Sequence, residues 1–128
     1  FRGDDGSLIV IIATDAPLLP HQLKRLAKRA ALGMARTGSL GGNGSGDIFL
    51  AFTTASSGGA DSGSMKGSVE YVHNDFIDPL LFASAYATEE SIINSMIAAE
   101  AMTGQKELRV HALPHDKLQD VLRKYGRV

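Results

Sequence analysis

The run Leu8 to Ile12, LIVII, constrains this chain more than any other feature. Four of its five residues are β-branched, so it favours an extended backbone and offers nothing to water. A continuous apolar run of this length predicts a strand buried on both faces. A second run, Ile48 to Thr53, makes the same demand. Such strands require cover from helices or from another sheet.

The segment between them supplies one cover. The first strand is expected to end near Thr14-Asp15. Pro17 and Pro20 follow, and His21 opens a helix whose apolar stripe is Leu23, Leu26, Ala27, Ala30, Ala31 and Met34. Lys24, Arg25, Lys28 and Arg29 lie off that stripe. They read as a solvated face, with anion binding as the alternative. Gly38 suits the helix stop.

Downstream, Leu40 to Asp47 is a glycine-dense loop, LGGNGSGD, and Ser56 to Ser68 reads as a surface loop. Val69 to His73 is expected to form a short strand. Asp78 and Pro79 start a long helix running to about Met102, with Leu81, Ala85, Ile92, Met96 and Ala99 on its apolar face and Gly104 as its stop. Leu108 to Ala112 is a candidate edge strand. Pro114 to Tyr125 closes with a helix striped by Leu118, Val121, Leu122 and Tyr125, ended by Gly126. Strands and helices therefore alternate in an α/β pattern. Three or so strands are too few to bury their own apolar surface, which implies a partner segment that completes the sheet.

At 128 residues the chain is about one domain. Thirteen basic against fourteen acidic residues argue against nucleic acid as a partner. No cysteine is present, which removes disulfides and thiolate metal sites. No apolar run reaches membrane-spanning length. The opening Phe1-Arg2-Gly3 carries no signal pattern and reads as though cut from something longer. Cytoplasmic placement is expected. A periplasmic one is the alternative, because any signal peptide would lie upstream.

Gly6-Ser7 stands at the head of the first strand, after the polar turn Asp4-Asp5-Gly6. Taken alone, the dipeptide is most simply a turn into the strand. If its peptide bond were cut, Ser7 would gain a free α-amine beside its own hydroxyl. With a reference pKa of about 8, that amine is a usable base near neutrality.

The loop GGNGSGD invites a phosphate-binding reading and fails it. Asp47 stands where the dinucleotide fingerprint has its third glycine, and the loop runs from helix to strand. It misses the nucleophile-elbow pattern as well, since Asn43 and Asp47 occupy glycine positions. What it offers is Ser45 and Asp47, two residues apart. Strand geometry would aim both at one face, where a hydroxyl and a carboxylate could polarise a third group such as Ser7. A turn in which both bond their own backbone is the competing reading. His111 and His115 have metal-like spacing, but Pro114 intervenes and a zinc site is not expected. His21 and His73 belong to no pattern.

The segments DDGSLIVIIATDAPLLPHQLKRLAKRAALGMARTG, GGNGSGDIFLAF, DPLLFASAYATEESIINSMIAAEAMTG and RVHALPHDKLQDVLRKYGRV together resemble the β-subunit of the L-aminopeptidase/D-esterase/amidase family, which includes the β-aminopeptidases. The resemblance covers nearly the whole chain outside the Ser56 to Ser68 loop. It implies a longer precursor that cleaves itself at Gly6-Ser7 and a nucleophile at Ser7. It also implies a supporting hydroxyl and acid at Ser45 and Asp47. Residues 1–6 would precede the cut and 7–128 would form the catalytic β-subunit. The implied fold is a four-layer α/β/β/α sandwich completed by an upstream α-subunit, in tetramers of αβ pairs.

Under that resemblance the expected activity is hydrolysis of small peptides, amino-acid amides and esters through an acyl-enzyme on Ser7, with no cofactor and no metal. An acyltransferase of the ornithine acetyltransferase type is the alternative, although those proteins usually cleave before Thr. A non-catalytic assembly subunit is the third reading.

Overall fold

The computed structural model describes residues 6–55, 63 and 65–128. Most of the expected 56–68 loop, and the turn residues Asp4 and Asp5, lie outside the described residues. The chain divides into two units at Glu89/Glu90.

In the first unit, β1 (Ile9–Thr14) and β2 (Ile48–Thr53) pair in parallel, from Ile9 opposite Ile48 to Thr14 opposite Thr53. The connection between them contains α1 (Pro20–Arg36), as parallel neighbours require a crossover. Pro20 opens the helix, where its missing N–H costs nothing. Gln22 reaches back to accept the Leu19 N–H at 3.0 Å. At the other end the Thr37 hydroxyl donates to Met34 O, and Gly38 adopts φ +98°.

The buried face of α1 carries Leu26, Ala27, Ala30 and Met34, all named in the expected stripe. Leu23 is half-buried against the core of Leu18, Leu26, Ile77 and Leu81, together with Ile12, Ala51 and Val72. Each strand is thereby covered on one face. On the other, Ile9 is 67 % and Ile11 61 % exposed, with Ile48, Leu50 and Phe52 exposed beside them. Among the described residues, burial on both faces is therefore not met: α1 supplies a single layer.

Val69 to His73 is not a strand. The Val72 N–H donates to Pro17 O, but the Val72 carbonyl accepts from the side chain of fully buried Gln22 at 2.7 Å. Gln22 also donates to Asn74 Oδ1 at 3.1 Å. A side chain thus takes the place of a neighbouring strand.

A long helix, α2 (Asp78–Ala98), starts at the expected residue. Gly33 of α1 lets it approach closely: a Cβ there would overlap the Ala85 carbonyl and sit 2.7 Å from Thr88 Cβ. The Ser84 hydroxyl donates to Leu26 O across the same contact. Arg36 pairs with Glu89, and its guanidinium lies 5.5 Å from the centre of the Tyr86 ring. The hydrogen bond that Arg36 donates to Glu89, and then the charge of Glu89, raise the Arg36 pKa above its ordinary value.

In the second unit, α2 ends at Ala98, short of the expected Met102. Met102 and Thr103 form β3 instead, antiparallel to β4 (Arg109–Val110). Gly104 is the first residue of the hairpin loop, its N–H bonding Leu108 O at 2.8 Å. The loop turns through Lys106 and Glu107, both with positive φ. The edge strand expected from Leu108 to Ala112 shrinks to two residues. α3 (His115–Lys124) closes the chain, and Gly126 at φ +63° ends it. Leu118 and Leu122 are half-buried, whereas Val121 and Tyr125 are exposed. Among the described residues, no helix is long and apolar enough to cross a membrane.

Candidate active site

Because β1 and β2 are parallel, both begin at the same end of the sheet. The residues just before each strand therefore meet, although 39 positions separate them in sequence. Ile48 N–H donates to Leu8 O, and Thr54 N–H to Thr14 O. This pattern fixes which residues carry the ladder. Extended one step outward, it would send Leu8 N–H to Gly46 O and Gly46 N–H to Gly6 O.

Side chains interrupt it at that step. Leu8 N–H donates to Asp47 Oδ1 at 2.8 Å. Gly46 N–H donates to Ser7 Oγ at 2.9 Å. A carboxylate accepting from a backbone amide makes one of the stronger kinds of hydrogen bond. The two bonds clasp the Ser7-Leu8 pair to the Gly46-Asp47 pair. They also direct the Gly46 donor to the serine hydroxyl in place of the Gly6 carbonyl.

The loop is shaped for this approach. Gly41 adopts φ +61°, where a side chain would be strained, and its open side lies 3.9 Å from Asp47 Oδ2. Ser45 N–H donates to Gly42 O at 2.9 Å and closes a turn. Ser45 and Asp47 are half-buried, while Gly46 and Ile48 between and after them are exposed. The alternation of burial along β2 thus continues outward as far as Ser45. Ser7 is exposed. Gly6 is also exposed, and a Cβ there would touch nothing within 4 Å.

Of the residues singled out in the sequence, Ser7 and Asp47 lie at the clasp, and Ser45 forms the turn that leads into it. Two groups were missed, the N–H donors of Gly46 and Leu8. Backbone donors leave no mark in composition; only the register of the parallel pair reveals them. The histidines lie elsewhere. His73 Nδ1 is 3.1 Å from Asp75 Oδ2, and His115 Nε2 is 3.0 Å from Ile97 O. Among the described residues, no three histidine, aspartate or glutamate side chains are grouped to hold a metal ion.

Comparison with known proteins gives the family of the chain. Peptidase family S58 matches residues 2–110. The β-peptidyl aminopeptidase BapA of Sphingosinicella microcystinivorans is 52 % identical over 124 residues, covering 97 % of this chain and 31 % of that protein. The solved L-aminopeptidase D-Ala-esterase/amidase of Ochrobactrum anthropi is described as a prototype serine aminopeptidase and a variant of the Ntn hydrolase fold. It superposes with a TM-score of 0.84 at 45 % identity, covering 98 % of this chain and 36 % of its own. A β-aminopeptidase from Burkholderia sp. gives 0.82 at 45 % identity, covering 95 % and 36 % respectively. The chain spans about a third of the length of these relatives. It shares with them a mixed α/β fold of Ntn hydrolase type, and it belongs to peptidase family S58, a family of aminopeptidases.

Proposed function

We propose that this chain is the catalytic portion of a self-processing serine aminopeptidase that acts on small peptides, amino-acid amides and esters. The observation that carries the reading is the Gly46 N–H to Ser7 Oγ contact, which holds a serine hydroxyl at the rim of a rigid strand. Asp47 sits one residue further along the same clasp.

In processing, Ser7 Oγ attacks the Gly6 carbonyl carbon. The Oγ–C bond forms, the Gly6-Ser7 C–N bond breaks, and the hydroxyl proton passes to the Ser7 nitrogen. Water then hydrolyses the ester, which releases Gly6 as a carboxylate and restores the Ser7 hydroxyl beside its new α-amine. In turnover the same oxygen attacks a substrate carbonyl, and the amine takes the hydroxyl proton and delivers it to the leaving group. Ser45 and Asp47 orient and polarise the amine and hydroxyl. Residues 1–6 would then end an upstream segment, and 7–128 would be the β-subunit.

The exposed apolar face of β1 and β2 supports a second sheet packed against it, giving the four-layer α/β/β/α sandwich. An upstream α-subunit from the same precursor would supply that sheet, in tetramers of αβ pairs. The chemistry assigned to these residues calls for no cofactor.

The test is processing of the full precursor. Mass spectrometry should find a fragment starting at Ser7 without added protease, and Ser7→Ala should remain one intact chain. Normal cleavage in Ser7→Ala would remove the nucleophile assignment.

A further inference from the structure

Gly46 is not glycine for the sake of its backbone angles, since its φ lies outside the left-handed region. A Cβ there would stand in ordinary van der Waals contact with Ser7 Oγ, 3.4 Å away; as glycine, the residue presents bare backbone to the hydroxyl. A continued ladder would give the Gly46 N–H to Gly6 O, the carbonyl of the bond to be cut. It goes to Oγ at 2.9 Å instead.

We propose that the Gly46 backbone N–H is a further catalytic group: it holds Ser7 Oγ in its attacking orientation and stabilises the negative charge that returns to Oγ whenever an acyl group leaves. This inference rests on Ser7 as nucleophile. A serine oxygen has two lone pairs and one proton. With one lone pair engaged by Gly46, the other is left for the carbonyl carbon and the proton for a base. In the ester intermediate Oγ carries no proton. When water attacks that ester, the C–Oγ bond breaks, its electron pair moves onto Oγ, and a proton from the attacking water ends on Oγ. A preorganised amide donor already at hydrogen-bond distance lowers the cost of that charge.

The role differs from that of an oxyanion donor, which faces the carbonyl oxygen. Gly46 faces the oxygen of the nucleophile. Its effect should therefore appear most clearly in the breakdown of the ester.

No side-chain substitution removes a backbone N–H, so the test exchanges the peptide link itself. Glycolic acid placed at position 46 of the full precursor by nonsense suppression replaces the N–H by an ester oxygen and leaves the rest of the residue unchanged. Release of the Ser7 fragment should slow by about 10²-fold or more, the scale for losing one positioned donor. With a chromogenic amino-acid ester as substrate, material that has been processed should accumulate acyl-enzyme after a burst.

As a second measurement, Gly46 amide hydrogen exchange in the Ser7→Ala precursor should be about fivefold faster or more, since its acceptor is gone. Wild-type processing by the glycolate variant, with Ser7→Ala blocked, overturns the Gly46 role and leaves the nucleophile in place. Normal processing by Ser7→Ala overturns the nucleophile instead. Unchanged Gly46 exchange in Ser7→Ala would show that the hydrogen bond is absent in solution, and the proposal would fail even if the glycolate variant did not fold.

Discussion

The Leu8 amide donates to Asp47 Oδ1 at 2.8 Å, in the place where a sheet carbonyl would ordinarily accept it. The carboxylate is therefore both a charge beside Ser7 and a tie between the two strand ends. Substitution can separate these tasks. Asp47→Asn keeps an oxygen for Leu8 and removes the charge, whereas Asp47→Ala removes both. In already processed enzyme, we expect kcat of Asp47→Asn to fall by about 10²-fold or more. Asp47→Ala should fall further and also lose thermal stability. Wild-type kcat in processed Asp47→Asn would leave the residue with the structural task alone.

Processing and turnover should differ in their dependence on pH. Before the cut, the Ser7 nitrogen is a peptide nitrogen and does not titrate. After it, the α-amine has a reference pKa of about 8 and must be neutral to act as base. Turnover should therefore decline as pH falls through the pKa of that amine, while self-cleavage lacks this limb. Parallel profiles of kcat/KM and of the processing rate would check this; a shared limb would point to a different base.

Gly33 provides a test of the scaffold. Alanine is ordinarily the better helix residue by about 1 kcal/mol. Here its methyl would meet the Ala85 carbonyl and Thr88 Cβ of the opposing helix. The clash should outweigh the propensity gain, and Gly33→Ala should destabilise the protein by about 3 kcal/mol. Thermal melts of the full precursor with Ser7→Ala as background would read this without interference from cleavage.

The open face of β1 and β2 leads to a prediction about assembly. Ile9, Ile11, Ile48, Leu50 and Phe52 form a contiguous apolar surface of the kind that marks an interface. Residues 1–128 expressed alone should aggregate or melt without cooperativity. Co-expression with the upstream segment of the precursor should give a soluble complex of equal stoichiometry. Light scattering and circular dichroism would decide, and a soluble, cooperatively melting monomer would contradict the two-subunit arrangement.

The first half of the fold was legible because its signals are local. The β2 boundaries match the apolar run Ile48 to Thr53, and α1 begins one residue before His21, at the proline that precedes it. Legibility failed where partners are distant or turn chemistry is unmarked. Nothing in Val69 to His73 reveals that Gln22 takes the Val72 carbonyl. The β3–β4 turn places Lys106 and Glu107 at positive φ, where glycine or asparagine is the usual sign. In the site, Ser7, Ser45 and Asp47 stand out as side chains with chemistry to offer. The Leu8 and Gly46 amides do not, because a backbone donor acquires a role only through what the register sets opposite it.

That register acts as a vernier between nucleophile and loop. With Ile9 opposite Ile48, Ser7 falls opposite Gly46 and Leu8 opposite Asp47. A slip of one residue would bring either Ser45 or Asp47 opposite Ser7, placing a side chain where the bare amide now stands. It would also turn Phe49 and Ala51 away from α1. The helix and its loops can vary in length without disturbing this alignment, since they merely return the chain to the same end of the sheet. A single-residue insertion or deletion between Gly46 and Ile48 cannot. Variation among relatives of this chain should accordingly be permissive in the crossover and intolerant of any length change in those three positions.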